Sequence, residues 1–277
     1  MAILCVACGT DSSGSAGTRS KRCALVLLAL ALVVLALPLQ ACPAPMGPAS
    51  TVIAVAQTGE VSLADGRIVR LSGIDWPSPD RQGWRDRLRM VLLRLAAGTQ
   101  ARVDSAGKSD RWGRLSGNLV LATPDGPPQP LWVQETLVAL GLVRHWPEAA
   151  TDPCRPRLLA AENAARAAGL GLWSPLSRRT MRVSRVVARQ TLSGRAVFEA
   201  RVRSVRTGRS ATFVNFEGTR SATPFIMVRN RDLSRWRAEG LDPATFSGKR
   251  LRVRGVVSQV PTPRLHLTGP MAVEVLE

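Results

Sequence analysis

Ile68-Val69-Arg70-Leu71-Ser72-Gly73-Ile74-Asp75-Trp76-Pro77 is the stretch whose reading decides the fold. Strand periodicity puts Ile68, Arg70, Ser72 and Ile74 on one face and Val69, Leu71 and Gly73 on the other. Proline has no N–H to donate and biases the preceding residue towards an extended shape, so the strand stops at Asp-Trp-Pro. One strand is thus expected to carry Arg70 at its middle and Asp75 at its rim. A second segment, Asp110-Arg111-Trp112-Gly113-Arg114, reads as a tight polar turn feeding the strand Leu115–Ala122. Two arginines and a carboxylate converging at a strand rim suit a phosphodiester. Guanidinium forks clamp phosphate oxygens bidentately, and a carboxylate can hold a hard cation. Arginine is abundant here, 35 against 3 lysines, so either arginine taken singly would read as a solvated face. Their joint setting is what sets them apart.

Working outward, Thr51–Gln57, Glu60–Leu63 and Gly66–Ile74 read as three strands separated by the turns Thr58-Gly59 and Ala64-Asp65-Gly66. Arg81–Ala97 reads as a helix, with Trp84, Leu88, Val91, Leu92 and Leu95 at helical spacing and Gly98 as its stop. Strands near Ala101–Asp104 and Arg114–Ala122 follow, then helices over Leu131–Leu142 and Arg157–Ala168. Five strands with interspersed helices fit a small five-stranded Greek-key barrel of the OB type.

The order and spacing of these pieces resemble the staphylococcal nuclease (thermonuclease) family over about Thr51 to Pro175. The resemblance is carried by Leu63-Ala64-Asp65-Gly66-Arg67, by Val69 to Pro77, by Asp110 to Arg114, by Glu135-Thr136-Leu137-Val138 with Gly141-Leu142, and by Leu159-Ala160-Ala161-Glu162 and Gly171 to Pro175. It implies a site in which Ca2+ and two arginines bind the scissile phosphate, a glutamate serves as or positions the base, and two aspartates are the main carboxylate ligands. Carried across, the arginines fall on Arg70 and Arg114 and one calcium aspartate on Asp75. The other aspartate falls on Gly59, and the glutamate on Ser78. Calcium wants six to eight oxygens, so Asp75 is expected to hold it weakly at best. Ser78 cannot act as a carboxylate base. Two rescues are conceivable. Asp80 lies in a loop, whereas Glu60, offset by one strand residue, is expected on the opposite face. Trp112, where the family often has Tyr, and Trp146 are candidates for stacking on bases. His145 reads as a surface histidine, and with His266 as the other one there is no histidine cluster for zinc.

Residues 176–277 read as a second OB-like barrel. Strands are expected over Phe198–Val205, Ala211–Glu217, Pro224–Arg229, Lys249–Val260, Arg264–Leu267 and Ala272–Leu276, with a short helix over Asp232–Glu239. Phe213-Val214-Asn215-Phe216 and the stretch Gly248 to Gly255 are similar to OB-fold binding domains, and the alternation Leu251-Arg252-Val253-Arg254 predicts a half-exposed strand with arginine outside.

Residues 1–41 read as an export signal: Arg19, Lys21 and Arg22 precede the apolar run Ala24–Leu37, short for a membrane span. Leu39-Gln40-Ala41-Cys42 resembles a bacterial lipoprotein box, which implies lipidation of Cys42, an envelope location and a membrane anchor without a transmembrane helix in the mature chain. Residues 42–50 are then a tether, and Cys154 is left without a partner for a disulfide. The net charge is +18, and +16 remains when residues 1–41 are set aside. Such a balance favours an anionic partner. The function expected from the sequence is binding of single-stranded nucleic acid or another polyanion, with a degenerate nuclease site. An active metal-dependent phosphodiesterase and an envelope protein-binding scaffold are the alternatives.

Overall fold

The computed structural model describes residues 42–43, 47–76, 82–122, 130–148, 152–174, 194–218, 225–258, 264–267 and 269–276. The export segment 1–41, Ser78, Asp80 and the Ser177-Arg178-Arg179 junction lie outside the described residues. The chain is mainly β with some helices, and Cys42–Glu277 forms one compact unit.

The first sheet is built from β1 (Ser50–Val55), β2 (Val61–Leu63), β3 (Ile68–Leu71), β5 (Gln100–Ser109), β6 (Arg114–Leu121) and β7 (Leu131–Trp132), in the order β3-β2-β1-β5-β6-β7. β3 also pairs in parallel with β6, so β1, β2, β3, β6 and β5 close into a ring. The inward residues of the ring are apolar: Val52, Val61, Leu63, Val69, Leu71 and Leu119 are all buried. Helix α1 (Gln82–Ala96) lays Leu88, Leu92 and Ala96 into the same core. Gly117 is required at the β5–β6 contact, because a Cβ there would lie 2.6 Å from the Asp104 carbonyl oxygen.

Leu131-Trp132 is strand, not helix, and the following helix α2 is confined to Val133–Ala139. The strand through Arg70 also ends earlier than its alternation predicts. Gly73 adopts φ 73°, a left-handed conformation that breaks the extended run. Ile74-Asp75 then forms a separate short strand, β4, antiparallel to β8 (Arg144–His145). Asp75 therefore belongs to a different ladder from Arg70.

The second sheet comprises β9 (Gly194–Thr207), β10 (Ala211–Phe216), β11 (Phe225–Arg229), β12 (Arg250–Ser258), β13 (Arg264–His266) and β14 (Val273–Val275). Its order is β13-β11-β10-β9-β12-β14, with β12 also paired to β13. β9, β10, β11, β13 and β12 thus close into a second ring. The connectivity repeats that of the first: strands one to three are antiparallel in sequence, the fourth returns beside the first, and the fifth closes in parallel on the third. Phe198, Phe216, Ile226, Leu251 and Leu265 fill its interior, and Trp236 of helix α4 (Leu233–Ala238) and Phe246 pack against them.

Helix α3 (Arg155–Ala167) joins the two sheets through charge. Arg254 of β12 is fully buried, contrary to the outward placement its alternation predicts. Its guanidinium donates to Glu162 of α3 at 2.5 Å, to Glu274, and through Nε to the His145 carbonyl oxygen at 3.1 Å. Arg252 reaches Glu199, Glu274 and Asn163, and Arg166 bridges Glu162 and Glu199. Arg254, Arg252 and Arg166 face Glu162, Glu274 and Glu199, so the buried ionised groups are paired, as their burial requires, and the exposed Arg250 reaches Glu199 from the solvent side at 3.3 Å. Burial alone would raise the Glu162 pKa, but Arg254 and Arg166 outweigh it and hold the carboxylate below its ordinary range.

Cys42 is bonded to Cys154, with their Cα atoms 5.3 Å apart. This corrects the expectation that Cys154 has no partner. One Sγ cannot hold both a disulfide and a lipid thioether, and in the structure it holds the disulfide. Among the described residues no helix is long and apolar enough to cross a membrane.

Candidate functional site

Arg70 sits on β3 and Arg114 opens β6. The parallel register pairs Ile68 with Arg114 and Arg70 with Ser116. Val69 and Leu71 point into the core, so the period of two turns Arg70 outward, onto the face that Arg114 shares with Ser116. The two arginines are therefore diagonal neighbours on one outer face of the ring.

Each guanidinium is already held by carboxylates. Arg70 donates bidentately to Glu148, at 2.9 and 2.8 Å, and to the Ser116 hydroxyl at 3.1 Å. Arg114 donates through Nε to Asp110 at 2.8 Å and through a terminal nitrogen to Glu60 at 2.6 Å. Asp110 does more than pair. Its Oδ1 accepts the backbone N–H groups of Trp112 and Arg114, which ties the turn that Gly113 closes at φ 76° and aims the Arg114 side chain. Burial would raise the Glu60 pKa, but the Thr58 hydroxyl, backbone N–H and Arg114 hold it below its ordinary value. Hydrogen bonding to Asp110 raises the Arg114 pKa above its ordinary value. Glu60 lies on the clamp side, against expectation, because it belongs to the turn before β2 and not to a strand whose pleat would face it away.

Trp112 is 60% exposed, with the guanidiniums of Arg111 and Arg114 3.9 and 4.7 Å from its ring centroid. An exposed ring beside two cations presents a surface for a flat anionic ligand. Trp146 is 4% exposed and lies beneath Arg195, whose guanidinium is 5.0 Å from the ring centroid. That placement withdraws Trp146 as a stacking residue. His145 is likewise buried, its Nδ1 2.9 Å from the Gly73 carbonyl oxygen and its backbone N–H bonded to Glu162. Burial, with the Arg254 charge beside it, pulls its pKa down to about 4.

The residues at the positions implied for calcium do not fit the ion. Asp75 is 7% exposed and its carboxylate is taken by Arg144, its register partner, and by Arg195 of β9 at 3.3 Å. Gly59 adopts φ 90°, and a Cβ there would stand 2.5 Å from the Trp76 ring. The space a second carboxylate would need is filled by indole. Among the described residues no group of three His, Cys, Asp or Glu side chains gathers as a metal site.

Sequence reasoning placed Arg70, Arg114 and Trp112 and missed Glu148, Arg144 and Arg195. Nothing local links Glu148 to a residue 78 positions earlier. The role of Asp110 was within reach, because Asp followed two residues later by a tight turn is an Asx signature.

No curated protein matches the chain. Residues 68–175 match the family described as staphylococcal nuclease homologue, a span that contains Arg70, Asp75, Trp112, Arg114 and Glu148. Residues 68–175 are thus a staphylococcal nuclease homologue domain, a nuclease-family member with an OB-like fold.

Proposed function

We propose that the chain binds single-stranded nucleic acid or another polyanion through the Arg70–Arg114 face and hydrolyses it slowly or not at all. The observation that carries this reading is the contrast within one site. The two phosphate-clamping arginines stand side by side, while Asp75 is locked by Arg144 and Arg195 and the Gly59 position is closed by Trp76. Charge supports the same reading, since +16 outside residues 1–41 draws an anionic partner. Glu148 and Glu60 are internal stand-ins for phosphate, and a polyanion engages the arginines by displacing them. Without a general base the rate falls by about 10²–10⁴, and without metal stabilisation by several kcal/mol more.

One observation favours a second reading, a phosphodiesterase with relocated carboxylates: Glu60 and Glu148 both touch the clamp. The two readings part in one assay, cleavage of a labelled single-stranded DNA by the purified chain with and without Ca2+. The binding reading expects intact substrate and a retained complex. Calcium-dependent turnover that Glu148→Gln or Glu60→Gln abolishes would establish the enzyme.

For location, the reading is export into an oxidising compartment. The charged, apolar leader supports it, as does the Cys42–Cys154 disulfide, since disulfides persist outside reducing cytosol. The second sheet is read as an OB-type ring because its connectivity duplicates the first.

A further inference from the structure

The outer face of the second sheet carries a patch that the Arg70–Arg114 site does not use. Alternation on β10 buries Val214 and Phe216 and leaves Phe213 and Asn215 outside; on β11 it buries Ile226 and Val228 and leaves Phe225 and Met227 outside. The register makes these outward residues contiguous. Phe213 faces Met227 on one side and Arg206 of β9 on the other, Asn215 faces Phe225, and Phe225 faces Arg264 of β13. The rings of Phe213 and Phe225 lie 6.1 Å apart, the Arg264 guanidinium lies 5.5 Å from the Phe225 centroid, and Met227 is 36% exposed. Two half-buried phenylalanines and an exposed methionine on the outer face are not what packing requires, because the interior of this ring is already filled from the other side.

We propose that this face is a second binding surface for single-stranded nucleic acid, with unpaired bases on Phe213, Phe225 and Met227 and backbone phosphates on Arg206 and Arg264. The inference rests on the polyanion-binding reading above and gives it a base-contacting site. Charge selects the occupant: residues 194–277 hold 15 basic against 7 acidic side chains, and the patch itself is apolar between the exposed Arg206 and the half-buried Arg264. Aromatic rings beside cations suit a strand whose bases are free to stack, whereas a duplex keeps its bases paired.

The test uses the full mature chain and fluorescence anisotropy with labelled oligothymidine, with inorganic polyphosphate as a base-free competitor. Stacking predicts that Phe225→Ala weakens oligothymidine binding by about 5- to 150-fold and leaves the polyphosphate affinity unchanged. Arg264→Gln, with its urea midpoint measured alongside and unchanged, should weaken both ligands. If wild type binds oligothymidine and both variants bind as tightly, the face is overturned while the Arg70–Arg114 reading stands. If wild type binds neither ligand, both readings fall. Equal losses on the two ligands for Phe225→Ala would also overturn base stacking. A wild-type dimer in sedimentation that Met227→Arg splits would assign the face to a second copy of the chain and overturn the proposal.

Discussion

At the scale of single residues, the site differs from a metal-dependent nuclease by what fills it. Gly59 is not a vacancy awaiting a carboxylate: its φ of 90° and the indole 2.5 Å from its missing Cβ commit the position to glycine. Gly59→Asp is therefore expected to lower stability by about 1–3 kcal/mol in urea denaturation and to confer no calcium binding in calorimetry. Calcium binding by the variant would show that the indole yields. His145 makes a pH prediction. Folded, it stays neutral down to about pH 4, while unfolded it takes up a proton below about 6.5. Between those values the unfolded chain binds more protons, so stability falls as pH falls through the window. The contribution between pH 7 and 5 is on the order of 2 kcal/mol. The groups that face the imidazole, Arg254, Glu162 and Arg155, do not reverse the direction. His145→Asn should flatten this part of the curve measured by urea denaturation, and an unchanged slope would show that other groups set it.

At the scale of elements, the strands were legible in the sequence and the helix–sheet joint was not. Alternation at Ile68–Leu71 and Arg114–Leu121 was enough to turn Arg70 and Arg114 to one face, because a period of two leaves no other choice once Val69 and Leu71 are inside. The same alternation misled at Arg254, whose outward reading ignored the charged helix that packs there. Glu162 matched the family pattern in the sequence, yet its place as partner to a buried arginine 92 residues away depends on tertiary contact alone. Gly73 shows the same limit on a smaller scale. A glycine inside an apparent strand signals a break as readily as a bulge, and here it separates Asp75 from Arg70. The joint itself is testable. Removing one partner of a buried ion pair leaves the others uncompensated, so Arg254→Ala should cost about 3–5 kcal/mol in denaturant unfolding. A loss below about 1 kcal/mol would mean that water reaches the carboxylates and that the network is not what joins the sheets.

At the scale of the whole molecule, two rings of the same connectivity are joined by a buried charge network, and apart from that network Arg195 of β9 reaches Asp75 and covers Trp146. The second sheet thus adds, through Arg195, to the hold that Arg144 already has on Asp75. The Cys42–Cys154 bond closes a loop across a sequence separation of 112 and should contribute about 2–5 kcal/mol. It was missed because the lipobox resemblance claimed Cys42 first. Mass spectrometry of the mature protein, alkylated without reduction, is expected to show neither cysteine modified and no lipid on Cys42; an acylated Cys42 would contradict the bond. The central claim is that the arginine pair still grips phosphate, and a titration of a labelled single-stranded oligonucleotide against wild type, Arg70→Lys and Arg114→Lys at about 50 and about 200 mM salt tests it most directly. Lysine keeps the charge and loses the fork, so each variant should bind about 10- to 150-fold more weakly, and wild-type affinity should drop steeply with salt. Folded variants that bind as tightly as wild type at both salt concentrations would contradict the claim.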